Sequence, residues 1–99
     1  MTHEKGPYGL SVNGRAHIVL AKLQERSGHF GHIAAAVGVL DKVEGPGRRR
    51  QARRRLMSLL VFMRGVDLIF HDHANWFQIT THGEDVLAHL DAAAERQAA

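Results

Sequence analysis

Between Asn13 and Ser27, Ala16, Val19, Leu20 and Leu23 fall at i, i+3, i+4 and i+7, the spacing of an apolar stripe along one side of a helix. Gly28 punctuates its end. Phe30, Ile33, Ala34, Val37 and Leu40 repeat the helical spacing and predict a second helix, with Gly38 as a breaker near its end. Glu44-Gly45-Pro46-Gly47 is the strongest break in the chain, because glycine and proline together disfavour both helix and sheet ladder. A third helix is expected from Arg48 to Arg64. At about 100° per residue, Ala52, Leu56, Leu59, Leu60 and Met63 gather on one side of it, while Arg50, Arg53 and Arg54 project from another. Met57, Val61 and Phe62 lie outside the apolar stripe, so the C-terminal half is expected to be buried on more than one side or to meet a partner.

Beyond Gly65 the pattern changes. Leu68-Ile69-Phe70 and Trp76-Phe77-Gln78-Ile79-Thr80 are rich in β-branched and aromatic residues and predict two strands, joined through His71-Asp72-His73-Ala74-Asn75 as a hairpin. Thr80 and Thr81 both offer helix N-caps, with Glu84 three residues after Thr81 as in a capping box, and Val86, Leu87 and Leu90 give a final helix its core stripe. The alanine-rich end from Ala92 to Ala99 is expected to extend that helix and then fray. The fold class that results is mainly α with a small β-hairpin: three helices, a hairpin wing and a C-terminal helix. Residues 1–12 form an N-terminal arm, with Tyr8, Leu10 and Val12 free to pack on the rest, and residues 13–99 form one domain.

The element order brings a family into view. Phe77-Gln78-Ile79-Thr80-Thr81-His82-Gly83-Glu84-Asp85-Val86-Leu87 resembles the phrase with which bacterial winged helix-turn-helix regulators, MarR-like and PadR-like among them, leave the wing: an aromatic, an apolar residue, Thr, two residues, Gly, three residues, Leu. Ile33-Ala34-Ala35-Ala36-Val37-Gly38 looks like the first helix of their helix-turn-helix, and Leu56, Leu60, Gly65 and Val66 look like the end of their recognition helix. The resemblance covers about residues 14 to 90. It implies DNA binding, with the third helix in the major groove and the hairpin as wing, and it implies a homodimer. Ile18 and the C-terminal alanines are then the candidate subunit surfaces. Two features depart from the pattern: nine residues, Val39 to Gly47, where the family uses a few, and a wing with Asp72 but no arginine or lysine.

Charge sharpens this picture. Residues 1–44 carry five basic and four acidic side chains, residues 45–66 carry seven arginines and no acid, and residues 67–99 carry one arginine and six acids. A net charge of +3 thus conceals a strongly cationic stretch, the electrostatic footprint that polyanion binding requires. Arginine pairs with phosphate by charge and bidentate geometry, and with O6 and N7 of guanine in the major groove. Arg50, Arg53 and Arg54 are therefore the candidate readers of sequence on double-stranded DNA, with Arg48, Arg49 and Arg55 flanking them on phosphates and His71, His73 and Asn75 as wing contacts. The competing use of the basic helix is docking on an acidic protein partner, as in an adaptor or inhibitor.

Other chemistries find little footing. Eight histidines suggest metal, and His71 with His73, His29 with His32, or Asp85 with His89 have ligand-like spacing. The last pair resembles part of the site in metal-sensing ArsR-like regulators, but the fuller ligand set is missing, so no metal or cofactor is expected. Ser11, Ser27 and Ser58 lack a nucleophile-elbow context, and no strand precedes a glycine-rich phosphate loop, so the chain does not read as an enzyme. Trp76 and Phe77 are expected in the core rather than stacked on single-stranded bases. The absence of cysteine, of a secretory leader and of any apolar run near the roughly 20 residues that span a bilayer suggests a cytoplasmic protein with no membrane segment.

Overall fold

The apolar stripes of the sequence meet in one core. In the computed structural model, which describes residues 5–38, 45–72 and 76–98, Val19, Leu20, Ile33, Leu56, Leu60, Met63, Leu87 and Leu90 are almost fully buried. Among the described residues the elements are a short 3-10 turn (Pro7–Gly9), α1 (Arg15–Glu25), α2 (Phe30–Val37), α3 (Pro46–Gly65), β1 (Ile69–His71), β2 (Phe77–Ile79) and α4 (Thr81–Ala98). Three helices, an antiparallel hairpin and a C-terminal helix make a winged-helix-like arrangement. α1 packs against α2, α4 and β2, whereas α3 is held chiefly by β1.

Helix boundaries follow local chemistry more closely than the apolar pattern does. α1 starts at Arg15 and not at Asn13, because Asn13 is left-handed (φ 60°) and Gly14 is extended. The Asn13 N–H donates to Nδ1 of His17 at 2.9 Å, which obliges Nε2 to carry the proton that it donates to Asp91 at 2.7 Å. His17 is only 6% exposed, and with both ring nitrogens satisfied it ties the start of α1 to α4. At its other end α1 stops at Glu25, because the chain then extends so that Gly28 pairs with β2: Gly28 N–H donates to the Phe77 carbonyl and Phe77 N–H to the Gly28 carbonyl (3.1 and 2.8 Å). The connection between α1 and α2 thereby acts as a one-residue third strand. Gly38 ends α2 in the left-handed conformation (φ 71°), its N–H returning to Ala34 and Ala35; Leu40, expected in the same helix, lies outside the described residues.

α3 begins at Pro46, earlier than the arginine run, since proline at the first helical position forfeits only an N–H that has no intrahelical acceptor. Its exit is not made by Gly65. Asp67 takes the left-handed seat (φ 63°), with Asp67 N–H on the Arg64 carbonyl and Leu68 N–H on the Met63 carbonyl at 3.1 and 2.9 Å. This double return is a Schellman closure, and the residues at its two ends, Met63 and Leu68, are both buried.

The hairpin pairs Ile69 with Ile79, Phe70 with Gln78 and His71 with Phe77, so His71 belongs to a strand and not to the turn. Asp72 closes the loop: its N–H donates to the Trp76 carbonyl and its carboxylate accepts the Trp76 N–H (3.0 and 3.1 Å). α4 is capped by Thr80, not Thr81. The Thr80 hydroxyl donates to the Asp67 carbonyl and accepts the Gly83 N–H, and the Thr80 N–H donates to the Leu68 carbonyl. Because Thr80 is the cap, Glu84 falls one residue too late for a capping box. Residues 5–12 form a tight loop that packs on the body: Leu10 is buried, Val12 packs against the core, and the Tyr8 hydroxyl shares a 2.6 Å hydrogen bond with Nε2 of His82.

Gly83 lies so close to the entry of β1 and the end of β2 that a Cβ built there would sit 2.0 Å from the Leu68 carbonyl oxygen and 2.8 Å from Ile79. Gly83→Ala is expected to cost about 3 kcal/mol in urea denaturation, by overpacking against backbone. Thr80→Val should cost about 1–2 kcal/mol through the lost cap. Gly31, helical and with open space where a Cβ would stand, supplies the opposite sign: Gly31→Ala should gain about 0.5–1 kcal/mol. Equal tolerance of alanine at Gly83 and Gly31 would contradict this packing.

Candidate nucleic-acid interface

Every described side chain of α3 before Ala52 is exposed, and the first fully buried one is Leu56. The N-terminal turns of the helix therefore stand off the core, anchored from behind by Leu56, Leu60 and Met63. On this projecting part Arg48, Arg49, Arg50, Arg53, Arg54 and Arg55 are all exposed. At about 100° per residue, Arg50, Arg53, Arg54, Met57, Val61 and Arg64 share one sector roughly 100° wide. Arg48 and Arg55 fall on a different side, and Arg49 falls toward the core side by helical position.

The electrostatics of this segment oppose a stable isolated helix. The N-terminal end of a helix carries partial positive charge, which favours acidic side chains there. α3 has no acidic residue in its first turn and places six of its seven arginines in the half where the dipole disfavours them, Arg64 alone standing in the last turn. Arg50, Arg53 and Arg54 make no hydrogen bond or ion pair among the described residues. The helix N-terminus and the guanidinium groups thus attract the same thing, an external anion.

The wing residues are placed differently from the simple expectation. The His71 ring is half-buried and stacks on Phe77 with centroids 4.7 Å apart, on the inner side of the hairpin and not at its tip. His73 and Asn75 lie outside the described residues. Asp72, the acid that departs from the usual cationic wing, has a structural task in closing the loop. Phe77 is buried, while Trp76 is half-buried with its ring centroid 4.0 Å from that of His29. Among the described residues no cluster of histidine, aspartate and glutamate is arranged to hold a metal ion, and no helix is long and apolar enough to cross a membrane. His17, the histidine with the most defined role, was hidden from sequence reasoning because its partner Asp91 is remote in the chain.

No family model, curated protein or solved structure matches the chain.

The unneutralised arginine face has a measurable cost. Replacing Arg50, Arg53 and Arg54 together by Gln should raise unfolding stability at low ionic strength by about 0.5–1 kcal/mol, the sum of a few like-charge helical pairs. The gain should shrink as salt is raised from about 20 mM to about 300 mM, where the Debye length falls below the spacing of the charges. A stability loss in the triple variant at low salt would mean that these arginines are held by attractive contacts within the protein.

Proposed function

We propose that this protein binds double-stranded DNA sequence-specifically, as a small transcriptional regulator that reads the major groove with the N-terminal half of α3. The observation that carries the reading is the projecting helix start with its exposed, unpaired Arg50, Arg53 and Arg54. A cylinder about 10–12 Å across with its side chains fits the major groove, about 12 Å wide. In this geometry Arg50, Arg53 and Arg54 meet base edges. Arg48, Arg49 and Arg55, diverging around the helix, meet phosphates. Homodimerisation doubles the short site that one such helix can read; Ile18, 37% exposed on α1, and the neighbouring Ala21 offer apolar surface for it.

A protein partner is the second reading, and it is favoured by one specific observation. Met57, Val61, Phe62 and Phe70 are each 42–51% exposed around the lower half of α3 and β1, a larger apolar display than a helix in contact with DNA requires.

Fluorescence anisotropy on duplex DNA separates the two. The DNA reading expects log affinity to fall linearly with log salt, with a slope of about −0.9 per phosphate contacted. Against a preferred site selected from a random pool, Arg50→Ala or Arg54→Ala should cost about 1–3 kcal/mol and much less on unrelated duplex. Arg48→Ala should weaken both about equally and flatten the slope. Absence of duplex binding at low salt would transfer the arginine face to an acidic protein.

A further inference from the structure

Below the arginines, on the same sector of α3, a groove of about 340 Å³ opens between α3, the start of α2 and the hairpin. Met57 and Val61, 42% and 51% exposed, line it from α3, with buried Leu60 beside them. Phe30 contributes from α2 and Phe77 from β2. The volume lies within the range of small-molecule sites, about 300–1,000 Å³.

Two observations define what would fill it. The first is charge. Among the described residues Arg64 is the one guanidinium lining the groove, no carboxylate lines it, and Arg64 has no hydrogen-bonding or ionic partner. The second is the kind of apolar surface left uncovered. The aromatic rings are already engaged, His71 on Phe77 and His29 on Trp76, whereas the exposed wall of Met57 and Val61 is aliphatic and unmatched. We infer that this groove binds a medium-chain alkyl carboxylate, its chain along Met57, Val61 and Phe30 and its carboxylate on the Arg64 guanidinium. A carboxylate accepts two parallel N–H bonds from one guanidinium, which fixes the orientation of the chain. The site is independent of the DNA reading, since neither its lining nor its charge uses Arg50, Arg53 or Arg54.

Octanoate titrated into the full chain, below its micelle concentration, tests the inference by amide chemical shifts and by emission of the single tryptophan, Trp76, whose ring lies against that of the groove residue His29. Saturable shifts are expected at Gly31, Val61 and Arg64, with a change in Trp76 emission. Octan-1-ol should bind roughly tenfold more weakly, the loss of one charge-assisted pair. Arg64→Gln, a change at an exposed position, should bring acid and alcohol to equal affinity while circular dichroism stays unchanged. Equal affinity of acid and alcohol for the unaltered protein would overturn the proposal, as would non-saturating shifts centred on Phe62 and Phe70, which lie outside the groove. If the groove amides shift with protein concentration alone and the protein sediments as a dimer, the groove belongs to a second copy and not to a carboxylate. None of these readouts involves DNA.

Discussion

The crossing of α4 over the carbonyl of Leu68 is the constraint on which the rest of this fold depends. Gly83 permits the approach, and Thr80 secures it by holding the exit of α3, the end of β2 and the first turn of α4 through one side chain and one backbone N–H. If α4 stood further out, Val86, Leu87 and Leu90 would no longer reach the core that α1 completes. Backbone polar groups at three element ends are thus satisfied in the same small volume.

α3 divides its length between two physical tasks. Its C-terminal half supplies Leu56, Leu60 and Met63 to the core and ends in a closed Schellman turn against β1. Its N-terminal half contributes no fully buried side chain among those described, so its geometry is set by continuity with the anchored half. Helix propagation makes this feasible: once the anchored turns are formed, each further residue adds a hydrogen bond without a new nucleation cost. The arginines reduce that gain, and the placement is tolerable because they are presented to solvent and counterions.

The helical elements were legible because burial imposes the 3.6-residue period, and the stripes containing Leu20, Ile33, Leu60 and Leu87 all reached the core. What escaped the sequence depends on contacts between distant residues. Gly28 looked like a helix terminator, yet it also pairs with Phe77, and nothing local announces that pairing. His17 was one of eight histidines until α4 brought Asp91 to it. Gly65 was the natural choice for the end of α3, but the left-handed position fell to Asp67, whose carbonyl is needed by Thr80. The arginine face was readable as a charge run and a helical sector; that its base is free of the core follows only from where α3 is anchored.

The one-residue strand at Gly28 has a further consequence for how the protein behaves in a crowded solution. With Gly28 on one side of β2 and β1 on the other, both margins of β2 are occupied at Phe77, whereas β1, among the described residues, is paired along one margin and leaves the other open. An open margin is a template for intermolecular sheet growth, and here it carries the exposed ring of Phe70. Its brevity is the safeguard: a strand of three residues offers too few ladder bonds to recruit another chain, whereas self-templating segments run to about six or seven residues. The short hairpin thus limits aggregation as well as shaping the wing, and lengthening it would remove that protection.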